Sequence, residues 1–182
     1  MKATKFFIIA ATVGAVLTGC SKDKPEIEPK LKVGQAYQGG IIAFIDATGE
    51  HGLIAAPEDQ NNGNPIKWWN GYYKNTEARF THIGGGKDNT DKIVEAQGTG
   101  NYAANLCKSL NLGGYTDWFL PSIDELYELY RNRVVIGGFS SAAYWSSFEY
   151  DSDNAYYKNF SHGTQFYTDK SYNCRVRAVR YF

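Results

Sequence analysis

Runs of apolar and polar residues first predict a β-hairpin near the start of the folded part of the chain. Residues 39–46 (GGIIAFID) and 51–57 (HGLIAAP) are apolar segments of strand length, and the turn-forming sequence ATGE separates them. A loop follows at residues 61–65 (NNGNP). The first helical pattern is short and lies near residues 91–97, after a glycine-rich loop.

Two later segments have the hydrophobic spacing of helices. Residues 101–110 place four side chains on one helical face at intervals of three and four residues. They are Ala103, Leu106, Cys107 and Leu110. In residues 120–132, Ser122 can cap a helix and Glu125 can complete a capping box. The buried stripe of this second helix is expected to consist of Ile123, Leu126, Tyr127 and Tyr130.

Three strands are predicted in the C-terminal part of the chain. They are residues 141–147 (SAAYWSS), 154–160 (NAYYKNF) and 174–182 (CRVRAVRYF). The last segment alternates arginines with apolar residues, as a half-buried strand does. Because strands both precede and follow the helices, the order predicts an α+β fold rather than a parallel βαβ fold.

The N-terminal pattern predicts a lipoprotein signal peptide over residues 1–19. Lys2 and Lys5 form a basic start, and residues 6–16 are apolar but too short to span a bilayer. The sequence LTGC then resembles a bacterial lipobox, whose cysteine, Cys20, becomes lipidated and holds the protein at a membrane. The alternative is an ordinary secretory signal with a cysteine present by chance.

Residues 20–32 are predicted to form the lipidated cysteine and a flexible tether, because the segment SKDKPEIEPKLK is charged and contains two prolines. An edge strand is the alternative. Residues 33–182 then form one domain of about 150 residues, which is long enough to bury a core. Without Lys2 and Lys5, 17 of the 19 basic side chains remain against 19 acidic ones, so no nucleic-acid partner is expected.

Motifs for catalysis or metal binding are incomplete. The sequence GGGK at residues 84–87 lacks the Ser or Thr that a phosphate loop requires, and DSDN at 151–154 has Tyr156 where a calcium loop needs glycine. The three histidines show no metal-ligand spacing. No acid–base pair is recognisable either, so we expect no enzyme activity, no cofactor and no metal site.

The other two cysteines allow two predictions. With Cys20 lipidated, Cys107 and Cys174 are left as an even pair in an oxidising compartment. They form either a disulfide or two buried free thiols.

The segment from residue 144 to residue 173 combines many Tyr and Phe rings with Ser, Asn, Asp and Thr, and it contains no Leu, Ile or Val. Antibody paratopes use this mixture for contact, so much of the segment is predicted to be a binding surface. Four residues are expected to face inward: Tyr144, Trp145, Ala155 and Phe160. Ten are predicted to contact a ligand: Phe148, Tyr157, His162, Thr164, Phe166, Tyr167, Thr168, Ser171, Tyr172 and Asn173. The alternative is an ordinary β-sheet surface, where Tyr and Thr are common.

Six segments together resemble those of a known family. They are GGIIAF, HGLIAA, LGGYTDWFLPSIDEL, YWSS, NAYYKNF and RVRAVR. With them the chain, from about Val33 to Phe182, resembles the Lcl C-terminal domain of bacterial collagen-like adhesins. The resemblance implies a C-type-lectin-like fold, with a small twisted antiparallel sheet, two main helices and long loops. Within the third segment, the side chains expected to fill the core are Tyr115, Trp118, Phe119 and Leu120.

The resemblance also bears on the cysteines and on sugar binding. In this fold a helix cysteine often bridges to the last strand, a position that Cys107 suits. Many relatives, however, carry the second cysteine where this chain has Ala178, four residues after Cys174. The calcium-dependent sugar-binding triplets of animal lectins, Glu-Pro-Asn and Trp-Asn-Asp, are absent.

These patterns predict an outer-membrane lipoprotein, exposed at the cell surface, that binds a protein or glycan ligand. A structural subunit of a surface appendage or envelope complex is the alternative. The C-terminal segment also resembles targets of diversity-generating retroelements, because mutated adenines in Asn codons yield Tyr, Ser, Asp, His, Thr, Phe or Cys. On this hypothesis adenine mutation changes the sequence of the segment before RVRAVR, while RVRAVR itself stays fixed.

Overall fold

The computed structural model of the protein describes residues 30–182. The predicted signal peptide, the lipidated Cys20 and most of the tether at residues 20–32 lie outside the described residues. Leu31, near the end of the predicted tether, packs against the hydrophobic core.

The described residues form nine strands and four helices. In chain order the strands are β1 (Ala36–Tyr37), β2 (Gly40–Ile45), β3 (Gly52–Ala55), β4 (Ile66–Lys67), β5 (Ala143–Glu149), β6 (Asn154–Asn159), β7 (Gln165–Asp169), β8 (Asn173–Cys174) and β9 (Val179–Tyr181). The helices are α1 (Gly86–Gln97), α2 (Ala103–Lys108), α3 (Ile123–Arg131) and α4 (Arg133–Ile136), and a 3-10 turn lies at Asn61–Gly63. This order confirms the predicted α+β class.

The described strands pair in three antiparallel sheets, ordered β1-β2-β3-β9, β4-β8 and β5-β6-β7. The predicted hairpin is confirmed as β2 and β3. An isolated bridge between Tyr144 and Arg175 connects the third sheet to the segment that follows β8. The family resemblance implied one small sheet, and the division into three differs from it; the C-type-lectin-like arrangement stays a prediction.

The prediction of a single C-terminal strand over residues 174–182 is wrong. Only β8 and β9 are paired as strands; Arg177 and Arg180 are buried rather than exposed, and Arg175 is half-buried. The Arg177 side chain donates two hydrogen bonds to Asp59 Oδ1, from Nε (2.9 Å) and from Nη2 (2.7 Å). A buried guanidinium needs such a partner, and this partner lies far away in sequence, so the local alternation of arginines did not predict it.

Helix α1 begins at Gly86 rather than near residue 91. Its buried positions in the first turns are polar: Asn89 Nδ2 donates to the Phe80 carbonyl (2.7 Å), and Thr90 Oγ1 donates to the Gly86 carbonyl (2.8 Å). Because these residues are buried through hydrogen bonds, hydrophobic spacing does not reveal the start of the helix.

Helix α3 has the predicted capping box. The Glu125 N–H donates to Ser122 Oγ (3.2 Å), and the Ser122 N–H donates to Glu125 Oε2 (2.7 Å). The prediction that Tyr127 belongs to the buried stripe is wrong, because its surface is 46% exposed. Its ring instead lies at the surface beside the Lys158 ammonium, 4.8 Å from the ring centre, and Leu129 is buried.

The predicted burial is confirmed for most of the residues that the sequence places in the core. Tyr144, Trp145, Ala155 and Phe160 are all buried, as are Trp118, Phe119 and Leu120, while Tyr115 is half-buried. Cys107 and Cys174 are buried free thiols, which is the second of the two cysteine predictions. Burial raises the pKa of Cys174 to about 12, so this thiol stays protonated at neutral pH.

Candidate ligand-binding surface

The β5-β6-β7 sheet and the turns around β7 carry the ten residues predicted to bind a ligand. In an antiparallel sheet, cross-strand partners share a face and neighbours along a strand point to opposite faces. Tyr156 lies opposite Tyr167, whereas Tyr157 lies opposite Phe166. The structure therefore divides the predicted residues between two surfaces on either side of β7, which is the edge strand of its sheet.

We call the first surface the outer face, and it consists of the rings of Phe148, Tyr150, Tyr156 and Tyr167. The rings of Tyr150 and Tyr167 are stacked, with centroids 4.0 Å apart and planes at 14°. Tyr156 meets each of them edge-on at 5.7 Å, and Phe148 lies 5.1 Å from Tyr156. Tyr150 and Tyr167 are 43% and 48% exposed, so the stack is open to solvent.

Three aspartates border the outer face. Asp169 lies two residues after Tyr167 on β7 and so shares its face, while Asp151 and Asp153 lie in the turn between β5 and β6. Within residues 30–182, none of the three forms an ion pair. A hydrogen bond from the Ser171 side chain lowers the pKa of Asp169, so this carboxylate is ionised at neutral pH.

We call the second surface the inner rim, and it consists of Tyr157, Phe166, Thr168 and Tyr172. Phe166 and Tyr172 are 58% and 59% exposed. Tyr157 is half-buried and meets the core ring of Trp145 edge-on at 6.3 Å. Burial, with a smaller effect of the nearby Tyr172, raises the pKa of Tyr157.

The other predicted residues lie at the two ends of β7. His162 and Thr164 are exposed in the turn before it, where Ser161 Oγ is 2.6 Å from His162 Nδ1. After β7, the Ser171 N–H donates to Asp169 Oδ1 (2.7 Å), and Asn173 is exposed in β8.

Three tyrosines next to the predicted residues were missed by sequence reasoning: Tyr73, Tyr150 and Tyr156. The signal for Tyr156 was present, because it follows the buried Ala155 and strand alternation puts it on the opposite face. Tyr73 comes from a distant loop, and no local pattern indicated it. Its hydroxyl donates to Asp169 Oδ2 (2.7 Å), and its ring centre lies 4.2 Å from that of Trp69, with the planes tilted by 33°.

A buried ion pair supports the sheet beneath the outer face. Lys170 Nζ lies 2.6 Å from Glu149 Oε1, and both side chains are fully buried. Glu149 also accepts the Thr76 N–H (2.9 Å), and Lys170 also donates to the Ser152 carbonyl (2.6 Å). The pair therefore connects the loop around residue 76 with β5 and the end of β7.

Two searches of residues 30–182 gave negative results. No helix there has both the length and the apolar character needed to span a membrane. No group of three or more His, Cys, Asp or Glu side chains there is arranged to hold a metal ion.

The described residues thus form an α+β domain with an open, ring-bearing edge strand. The family model of the Lcl C-terminal domain matches residues 60–180, which is more than half of the chain, and the chain belongs to that family. It is accordingly an adhesin-like surface protein. A search of curated proteins finds no match. The family match begins after β1–β3, although Ile42 and Ile54 from those strands share a core cluster with Trp118.

Proposed function

We propose that the chain is a lipid-anchored cell-envelope protein that binds a protein or glycan ligand through the outer face and the inner rim. One observation carries the proposal: Phe166, Tyr167 and Tyr172 lie within seven residues of one another and are 58%, 48% and 59% exposed. Large exposed rings concentrated in one short segment of a folded domain are typical of interaction sites.

The chemistry of these surfaces suits recognition. Tyrosine offers a large contact area with only two side-chain torsions to immobilise, so its ordering costs little entropy on binding. Both surfaces sit on a sheet whose other strands pack against the core, which fixes the rings before a ligand arrives. The proposed role is binding rather than catalysis.

We further propose that Cys20 is the lipid attachment site and that the domain faces outward from the outer membrane. The basic start, the short apolar run and the LTGC sequence support this.

Diversification by a retroelement is part of the proposal. All ten predicted contact residues are of types that adenine mutation of an Asn codon gives, or are Asn itself. We expect a near-copy of the DNA for residues 144–173 in the same genome, differing from the coding copy only at adenines. A complete genome without such a copy would remove this part of the proposal and leave ligand binding unaffected.

The second candidate function is a structural subunit of a surface appendage or envelope complex. The same exposed rings favour it, because a fixed partner would cover them permanently. The two functions differ in stoichiometry. Pull-down from purified outer membrane should recover a stoichiometric partner for a structural subunit, and only substoichiometric ligands for a binding module.

Simultaneous replacement of Phe166, Tyr167 and Tyr172 by alanine is expected to weaken ligand binding by more than about tenfold, because buried aromatic contacts dominate interface energies. The ligand would first be identified by applying the full chain in detergent to protein and glycan arrays. Binding constants of the wild type and the triple variant would then be compared, with urea unfolding to show that the variant remains folded.

Tyr127→Ala is the matched control for this experiment, since Tyr127 is also 46% exposed but lies on α3. Its binding constant should equal that of the wild type. Ligand capture at wild-type strength by the folded triple variant would show that neither β7 surface is the binding site.

A further inference from the structure

We infer that the outer face binds a basic segment of a partner polypeptide, with a lysine or arginine side chain held against the rings of Tyr150, Tyr156 and Tyr167. This inference rests on the proposed function and deepens it, because it states the chemistry of the partner. Ring geometry, local charge and a similar arrangement elsewhere in the protein support it.

The three rings form an open corner. Tyr150 and Tyr167 are stacked too closely, at 4.0 Å, for a group to enter between them. Tyr156 stands at 77° to Tyr150 and at 62° to Tyr167, with each centroid pair 5.7 Å apart. A cation is attracted to an aromatic face within about 6 Å of its centroid, so one cation in this corner can contact more than one ring.

The protein holds a lysine of its own in this way. Lys158 Nζ lies 4.8 Å from the ring centre of Tyr127 and 5.1 Å from that of Tyr130. The tyrosines of the outer face, in contrast, have no cation of the described residues over them. They are therefore free to accept one from a partner.

The charge beside the corner is negative. The carboxylates of Asp151, Asp153 and Asp169 have no ion-pair partner among residues 30–182. Asp151 Oδ1 accepts the N–H groups of Asp153 (2.9 Å) and Asn154 (2.7 Å), which holds this carboxylate in the turn next to Tyr150. Unpaired carboxylates beside a tyrosine corner attract cations both by charge and through the ring faces.

The nearest cations of the protein do not cancel this charge. The Lys170 ammonium is fully buried and bonded to Glu149. Arg79 donates to the Tyr150 carbonyl (3.0 Å), but it lies between Glu77 (3.8 Å) and Glu149 (4.0 Å). The outer face thus favours a basic partner and repels an anionic glycan, whereas a neutral glycan would gain nothing from the aspartates.

The test uses the full chain in detergent and fluorescence polarisation with three probes: an eight-residue peptide alternating Lys and Gly, the same peptide with Glu in place of Lys, and a neutral glucan oligosaccharide. Only the basic peptide is expected to bind. Its affinity should fall by about tenfold or more between 0.1 M and 1 M salt, because screening shortens the range of charge interactions from about 10 Å to about 3 Å.

Variants on and away from the outer face make the test specific. Tyr167→Ala should weaken binding of the basic peptide by about five- to tenfold, and Tyr167→Phe, which keeps a ring face, by about twofold or less. Asp153→Asn with Asp169→Asn should weaken binding and flatten the salt dependence. Tyr127→Ala is the matched control, since Tyr127 is a similarly exposed tyrosine on α3 whose ring already faces Lys158, and it should leave binding unchanged.

Three results would overturn the inference: no binding of the basic peptide, equal binding of the acidic or neutral probe, or an equal loss in Tyr127→Ala and Tyr167→Ala. These results are distinguishable from failure of the proposed function. If an array ligand is lost in the triple variant while the basic peptide does not bind, the proposed function stands and the basic partner is wrong.

Discussion

Replacing Lys170 by methionine is expected to lower the free energy of unfolding by about 3–5 kcal/mol, because the change removes the closest cation from the buried Glu149 carboxylate and leaves it only Arg79, at 4.0 Å. Both side chains are fully buried, and their Nζ and Oε1 atoms are 2.6 Å apart. Methionine fills nearly the same volume as lysine, so the loss measures the missing charge rather than a cavity.

The large expected loss of stability follows from the burial of this ion pair. Burial lowers the pKa of Lys170, and the hydrogen bond to Glu149 only partly offsets it, which shows that desolvation is a major cost of the site. The pair is held by several additional hydrogen bonds, from the Thr76 N–H to Glu149 (2.9 Å) and from Lys170 to the Lys74 carbonyl (3.1 Å). Removing Lys170 therefore also takes a donor from the Lys74 and Ser152 carbonyls.

Urea unfolding of the wild type and of Lys170→Met gives the measurement. Lys108→Met is the matched control, because Lys108 also forms a 2.6 Å ion pair, with Asp91, but the two side chains are 43% and 41% exposed. This control should cost less than about 1 kcal/mol. Equal losses in the two variants would contradict the importance assigned to burial. Glu149→Gln in the Lys170→Met background should restore part of the stability, since no buried charge is then left unpaired.

Elements specified by neighbouring residues could be predicted from the sequence. The β2–β3 hairpin follows from two apolar runs around a turn, and the α3 capping box follows from Ser122 and Glu125 at the required spacing. The inward positions of Trp145 and Ala155 follow from their strand-like surroundings in β5 and β6. Each of these features is fixed either by contacts between neighbouring residues or by hydrophobic burial.

Elements specified by distant polar contacts could not be predicted. The first turn of α1 depends on Asn89 bonding to Phe80, and the break before β9 depends on Arg177 reaching Asp59. β7 has no buried face, so it lacks the apolar alternation that identifies a strand.

The candidate site was predicted in composition but not in arrangement. Phe166 and Tyr167 are neighbours in sequence, and strand pairing places them on opposite surfaces. Tyr73, from the loop before α1, joins the aspartate of β7 only in the folded state. A list of residue types can therefore indicate a contact surface, whereas the grouping of its members depends on register and on loops from elsewhere in the chain.

Asp59→Ala is expected to destabilise the domain by about 3–5 kcal/mol, for the same reason as Lys170→Met but with the opposite charge left unpaired. Asp59 Oδ1 accepts both Nε (2.9 Å) and Nη2 (2.7 Å) of Arg177, whose side chain is fully buried. Asp59 Oδ2 accepts the Tyr144 hydroxyl (2.7 Å) and Arg175 Nη1 (3.1 Å). One carboxylate thus satisfies three side chains and fixes the segment between β8 and β9.

Asp91→Ala provides the comparison for Asp59→Ala. Asp91 also pairs with two cations, Lys108 at 2.6 Å and Lys87 at 3.0 Å, but its side chain is 41% exposed and theirs are 43% and 52% exposed, so its loss should cost only about 1 kcal/mol. Thermal and urea unfolding of both variants check the difference. Asp59→Asn keeps an acceptor for Tyr144 and removes the charge, so most of the loss should remain in that variant. If Asp59→Asn is as stable as the wild type, hydrogen bonding rather than charge compensation of Arg177 holds this segment in place.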